Sequence, residues 1–407
     1  MCLGISPWLA APNDNNQQQR IGAGQLGIPV AAIERNVKAC WNLGSCDMGC
    51  PTNAKQSMLV TTIPAALDRG ARLLVQTRVQ RLEIARGCVR GMLAQPVARN
   101  GAALNGPGTR IEARHVLVAS GAINSPALLL RSAAPDPHRR LGARTFLHPT
   151  LISTSSFEQP IEGWRGAPQT LYTAHFLERA PVDGAIGYKF EAPPLHPVIA
   201  ASTLPGYGYG YGYGYGYGYG YGYGYGDGNA QAALLRDFAH TQALLALLRD
   251  GIHSESPGGQ VRLAGDGSPT LDYALTPFVM DGARRALPSM AEIQFAAGAR
   301  SVLPVHERAR PYGNWTEARA AIAELPMQPL LTRVLSAHVM GGCGIAGSEE
   351  LGVVRPDGLH WQSENLSVHD GLLFPTSIGA NPQLSVYGLV NKLALALRPS
   401  GRTVALA

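Results

Sequence analysis

Ser336-Ala337-His338-Val339-Met340-Gly341-Gly342-Cys343 opens a stretch that runs through Asn365-Leu366-Ser367-Val368-His369-Asp370-Gly371 to Gly379-Ala380-Asn381-Pro382-Gln383. His338 precedes a flexible Gly-Gly pair. Asn365 to Asp370 reads as a short strand, and Gly371 permits a sharp turn behind it. Asn381-Pro382 reads as a helix start, because Asn is a favoured N-cap and Pro at the next position has no amide proton to leave unpaired. Leu384, Tyr387, Leu389, Val390, Leu393 and Leu397 follow at helical spacing. One imidazole and one carboxamide are thus expected near two backbone turns. The helix N-terminus beside them carries partial positive charge and free amide donors, which suit a developing anion.

Upstream, Val116-Leu117-Val118-Ala119 is apolar at every position, the mark of a buried parallel strand. It ends in Ser120-Gly121-Ala122, and Ser125-Pro126 is expected to open a helix through Leu130. A Gly turn from strand into helix presents amides to an anion or a ribose, or simply packs a βα unit. Cys40, Cys46 and Cys50-Pro51 are spaced C-x5-C-x3-C-P. Three close thiolates before a Pro can hold an iron–sulfur cluster; buried reduced thiols in a Gly-rich turn are the preferred alternative.

The rest supplies framework. Pro12 to Gln19 is a polar tract that reads as a loop. Ile21-Gly22-Ala23-Gly24 looks like half of a dinucleotide fingerprint, but no third Gly is read at the right offset and no apolar strand precedes it, and the fingerprint needs strand, tight turn and helix together. Ser57 to Leu67 reads as a helix; Ala71 to Thr77, Val79 to Ala85 and Cys88 to Ala94 read as strands, the last two joined at Arg86-Gly87. Residues 150–205 alternate β-like runs with Pro-rich turns. Gly206 to Gly226 alternates Gly with ten Tyr and is expected to form a mobile loop, since Gly at every second position is costly to order. Ala230 to Leu248 reads as a helix with Leu234, Phe238, Leu244, Leu245 and Leu248 on one face. Val261 to Leu263 and Thr270 to Tyr273 flank a hairpin-type turn. Ala286 to Ala297 and Trp315 to Leu325 read as helices. His306, solitary among polar neighbours, is expected at the surface.

The 407 residues are 45% hydrophobic and 15% charged, so a globular chain with a large core is expected. The net charge is +6, but the basic side chains are dispersed Arg, with Lys only at 38, 55, 189 and 392. A nucleic-acid surface would need clustering that is missing here. No apolar stretch reaches membrane-spanning length, and the N-terminus lacks signal-peptide regions. A cytoplasmic location with reduced Cys is the expectation.

The stretch around His338 and Asn381 resembles the C-terminal signature of the glucose–methanol–choline family of flavin-dependent alcohol oxidoreductases. Cys46-Asp47-Met48-Gly49-Cys50-Pro51 with Ala54-Lys55, Gly121-Ala122-Ile123-Asn124-Ser125-Pro126 and Leu147-His148-Pro149 match further segments of that family in order. Phe374-Pro375-Thr376-Ser377 through Pro382 is most similar to the branch with long-chain-alcohol and cholesterol oxidases. The resemblance implies an α/β (α+β) chain: an FAD-binding doubly wound domain, here incomplete, plus an antiparallel-sheet substrate domain. It divides the chain into an N-terminal segment 1–39, an FAD-domain part 40–150, a substrate domain 151–330 interrupted by the Tyr-Gly repeat, and a return 331–407. Because the family's ADP-anchoring strand–turn–helix is not recognised in the sequence, the chain is expected to be a shortened member.

The resemblance also implies roles. His338 would be the base and Asn381 would hydrogen-bond the substrate oxygen. FAD would touch Val79 on the adenine side and Gly121, Ala122, Asp370, Gly371, Asn381 and Pro382 elsewhere. A neutral imidazole suits removal of a hydroxyl proton, and a flavin can take the hydride. The expected function is FAD-dependent oxidation of the CH–OH group of an apolar alcohol, with the electron acceptor open between oxygen, a quinone and a cytochrome. Two alternatives stand beside it: a non-catalytic remnant unable to retain FAD, and an electron-transfer dehydrogenase subunit with a cluster on Cys40, Cys46 and Cys50, as some members of the superfamily have.

Overall fold

Thr241–Leu248, apolar at nearly every position, forms the centre of a six-stranded antiparallel sheet and not the expected helix. A run this uniformly apolar has no face to bury selectively, so periodicity does not distinguish strand from helix. It pairs with Tyr188–Glu191 on one side and Thr150–Ser156 on the other. In this computed structural model, residues 4–7, 10–178, 183–197, 200 and 235–397 are described. The Tyr-Gly repeat and the first part of the expected helix at Ala230 lie outside the described residues.

The chain divides into two units. The first comprises Met1–Arg72, Pro149–Leu248 and Leu275–Leu335, and the second Leu73–His148, Arg249–Ala274 and Ser336–Ala407. Residues 40–72 therefore cluster with the antiparallel sheet, and residues 249–274 with the other unit.

In the first unit the sheet order is Ser301–Pro304, Thr150–Ser156, Thr241–Leu248, Tyr188–Glu191, Leu171–Thr173, Ala31–Ala32. The helix Pro277–Ala296 lies against it, longer than the expected 286–297. Thr276 caps it by accepting from the Val279 amide, and Pro277 takes the first position. Its buried Ala283, Leu287, Met290 and Ala291 recur every three or four residues and join one core with Leu151, Phe190, Leu244 and Leu248. The helix Trp315–Ala323 is capped by Asn314.

The polar tract read as a loop is a helix, Asp14–Gln25, with Asn13 as its cap. Its amide side chains face inward because they complete hydrogen bonds of the sheet. Asn16 Oδ1 accepts from the amides of Thr170 and Leu171 at 3.0 and 3.2 Å. Asn15 donates to Pro193 O at 2.7 Å and accepts from the Ala243 amide at 2.9 Å. Buried amides paired as those of Asn15 and Asn16 are cost little, so polarity misleads where apolar patterning would guide.

The same helix holds the glycines set aside as a dinucleotide fingerprint, and Gly27 corrects one ground for that: a third Gly does sit at the required offset. Gly22, Gly24 and Gly27 do carry the letters Gly-x-Gly-x-x-Gly, but at the end of a helix and not between strand and helix. Gly22 is buried against the helix Pro277–Ala296, where a Cβ would fall 2.0 Å from Ile293 O. Gly27, at φ +68°, closes the helix: its amide bonds Gly24 O and that of Ile28 bonds Ala23 O, the two bonds of a Schellman motif.

His306 is buried, not superficial. Nε2 donates to Pro326 O at 3.1 Å and Nδ1 accepts from the Arg308 amide at 3.1 Å, so the ring is neutral, and burial lowers its pKa.

In the second unit Val116–Val118 and Leu366–Val368 form a parallel pair, the part of the doubly wound sheet present among the described residues. Leu117 is 46% exposed, so the strand is buried on one face only. Thr77–Ala85, Cys88–Pro96 and Thr109–Ile111 form an antiparallel sheet. The strand expected over Ala71 to Thr77 does not form: Leu73, Leu74 and Val75 are exposed, and Thr77 instead opens the strand Thr77–Ala85. The expected helix 57–67 is shortened to Thr62–Leu67. The helix expected from Ser125 begins at Gly121 and runs to Arg131, with Pro126 inside its early turns. Gln260–Leu263 and Pro269–Asp272 form the expected hairpin. Leu82, Val89, Val116, Leu129, Val354 and Leu372 belong to this unit's core. Among the described residues no helix is long and apolar enough to cross a membrane.

Candidate active site

His338 is placed by strand register. Met340–Gly341 pairs antiparallel with Thr145–Phe146, Met340 opposite Phe146 and Gly341 opposite Thr145. Extending that register two residues outward sets His338 opposite His148. Their Nδ1 atoms are 3.0 Å apart, and the rings are tilted by 38°. The His148 amide donates to Ser336 Oγ at 3.2 Å, a second tie between the two segments. His148 is fully buried, whereas His338 is half-buried. The approach requires the Gly-Gly pair: Gly341 has φ +79°, and a Cβ on it would lie 2.1 Å from Arg144 O.

Beyond the glycines the same segment runs beside the Asp370 turn. The Cys343 amide donates to Leu372 O at 3.2 Å, and that of Ile345 to Leu373 O at 2.9 Å. Asp370 caps the short turn Gly371–Leu373. Its Oδ2 accepts from the Gly121 amide and the Ser125 hydroxyl, both at 2.9 Å, and its Oδ1 accepts from the Leu372 amide at 3.0 Å. Burial raises the Asp370 pKa, and these three donors pull against that shift. The expected turn at Ser120-Gly121 is present, but its Gly121 amide serves this carboxylate. Ala122 is buried in the core.

Asn381 lies exposed ahead of the helix Gln383–Ala396. The helix starts later than expected: Pro382 is the N-cap, and no side chain closes it, so the expected capping role of Asn381 is corrected. Of the apolar residues expected to form its face, Leu393 is buried and Leu384 is 45% exposed.

A cleft of about 950 Å³ lies between the strand Val116–Val118, the start of the strand Thr77–Ala85 and the helix Gly121–Arg131, beside the hairpin turn at Asp266 to Ser268. Val79, Leu117, Ser120, Asn124 and Arg131 line it. Val79, given the adenine side by the family resemblance, is among these lining residues. Ser120, Asn124, Ser125 and His148 have no individual roles in the sequence reading, which treats them only as parts of motifs. Ser125 bonds Asp370, 245 residues away, and His148 meets His338, 190 residues away.

In the first unit burial raises the Cys46 thiol pKa, with nearby Cys40 and Cys50 adding to the shift, but the three sulfurs do not all lie within 4.8 Å of one another. Cys50 bonds the Thr52 hydroxyl at 3.5 Å, the main reason its thiol pKa is lowered to about 7, and also accepts from the Ala54 amide at 3.3 Å.

Two family models match, both described as GMC oxidoreductase, over residues 2–150 and 254–389. The chain is 26% identical over 376 residues to an uncharacterized GMC-type oxidoreductase of Sinorhizobium fredii, covering 92% of this chain and 66% of that protein. It is 24% identical over 408 residues to the long-chain-alcohol oxidase FAO4A of Arabidopsis thaliana, covering 97% of this chain and 52% of that one. The chain thus spans between about half and two thirds of the length of these relatives. Its fold is similar to that of the formate oxidase of Aspergillus oryzae RIB40, in a structure concerned with FAD modification. The TM-score is 0.64 at 12% identity, with 96% of this chain and 71% of that one covered.

Proposed function

The chain belongs to the GMC oxidoreductase family, and from that premise we propose that it oxidises the CH–OH group of an apolar, long-chain or sterol-like alcohol with FAD as its cofactor. The apolar substrate class is supported by similarity to the long-chain-alcohol oxidases. One observation carries the chemistry: the half-buried His338 imidazole, 3.0 Å from His148, on the segment that continues beside the Asp370 turn.

The donor set fits FAD on its adenosine side. The cleft combines apolar Val79 and Leu117 with polar Ser120 and Asn124, the mixture that a ribosyl purine needs. A side chain at Gly121 would meet nothing within 4 Å, so the turn leaves open space beside it. When bound, FAD supplies a hydride acceptor. His338 takes the hydroxyl proton, and the Asn381 amide hydrogen-bonds the substrate oxygen. The N-terminus of the helix Gln383–Ala396 favours negative charge in front of it.

A second reading, a relative that does not retain FAD, is favoured by the placement of Gly22, Gly24 and Gly27 at a helix end. Titration with FAD followed by anaerobic addition of a long-chain primary alcohol separates the two. The enzymatic reading expects a yellow protein whose flavin band bleaches with alcohol. A chain that takes up no FAD supports the second.

A further inference from the structure

We propose that His148 is a positioning residue that fixes which ring nitrogen of His338 carries the proton. The inference rests on the reading of His338 as the base and adds a partner for it. Two ring nitrogens 3.0 Å apart share one hydrogen, so one Nδ1 donates and the other accepts. If His338 Nδ1 donates to His148 Nδ1, the Nε2 of His338 carries the lone pair that accepts the alcohol proton. In the reverse arrangement His338 Nε2 carries a hydrogen and is a donor, useless as a base.

The surroundings make His148 the fixed member of the pair. Its side chain is fully buried, its amide is tied to Ser336 Oγ, and the following Pro149 confines its backbone to extended conformations. The more exposed ring is that of His338, half-buried and therefore the one open to a substrate. When His338 Nε2 takes the proton, the ring becomes an imidazolium that still donates from Nδ1 to the neutral imidazole of His148. That hydrogen bond is charge-assisted, so it is stronger after the transfer than before it. The role parallels the orienting acid of a hydrolase triad, performed here by a second imidazole.

The test is the tautomer of His338, read by long-range proton–nitrogen correlation on the ¹⁵N-labelled full chain, without substrate. The expected result is Nδ1–H on His338 in the wild type. His148→Leu should shift it toward Nε2–H, and His148→Asn, whose amide oxygen can occupy the place of Nδ1, should restore it. In the FAD-loaded protein His148→Leu should lower kcat roughly tenfold to hundredfold, the usual cost of losing an orienting partner, with KM little changed and recovery in His148→Asn. An Nε2–H tautomer in the wild type overturns the proposal, and that measurement needs no variant to fold. A His148→Leu protein with unchanged tautomer and kcat overturns it as well. An inactive protein with His338 as Nδ1–H overturns the alcohol-oxidation reading and leaves the pairing standing.

Discussion

The Ser125 hydroxyl donates to Asp370 Oδ2 at 2.9 Å, joining the first helix of the parallel pair to the turn that follows its second strand. Ser125 is fully buried and also accepts from the Ser120 amide at 2.8 Å. Removing the hydroxyl leaves that amide unpaired and the carboxylate one donor short. Ser125→Ala should therefore cost about 1–3 kcal/mol, the range for an unsatisfied buried group. Asp370→Asn should cost more if its amide nitrogen replaces Oδ2, because it sets a donor against the Gly121 amide. Urea midpoints of the two variants check this, and an Asp370→Asn protein as stable as the wild type would refute it.

The three glycines of Gly22-Ala23-Gly24-Gln25-Leu26-Gly27 should behave as parts of a packed helix, not as a phosphate cradle. A Cβ added at Gly24 would meet nothing within 4 Å, so Gly24→Ala should be neutral or stabilising by about 0.5–1 kcal/mol. Gly22→Ala would drive a methyl group into Ile293 O and should lower the melting temperature markedly. If Gly24→Ala melts normally but abolishes FAD uptake, the glycines serve the cofactor after all.

Acid should weaken the fold through His360. The ring is fully buried, Nδ1 accepts from the Gln362 amide at 3.2 Å, and burial lowers its pKa to about 4, with Asp136 opposing that shift. The folded state thus holds the neutral ring, while the unfolded chain protonates near pH 6.5. Stability is complete above that pH and declines as pH falls toward 4, where the folded ring also begins to protonate. Between pH 7 and pH 5 the loss attributable to this one group is roughly 2 kcal/mol. His360→Asn, which keeps an acceptor for Gln362, should show a smaller difference between its urea midpoints at the two pH values. An undiminished difference would assign the acid sensitivity elsewhere.

The contacts behind these expectations differ in how visible they are in the sequence. His338, Asp370 and Asn381 stand out in the sequence as candidates because short motifs present them in order, and the hairpin at Gln260–Asp272 is legible because its turn residues announce it. The helix Asp14–Gln25 is not, since its buried face is made of amides whose partners in Thr170, Pro193 and Ala243 are remote in the chain. The strand Thr241–Leu248 reads as a helix because burial on both faces erases periodicity. The pairing of His338 with His148 depends on a register that only the folded strands define.

The most direct test of the central claim is the rate of flavin reduction by a long-chain alcohol, measured anaerobically by rapid mixing for the FAD-loaded wild type and for His338→Ala. A general base contributes about a hundredfold to ten-thousandfold, so the variant should be slower by that factor while binding FAD as before. A His338→Ala protein that is reduced as fast as the wild type, or that loses its FAD together with its activity, would contradict the assignment of His338 as the base.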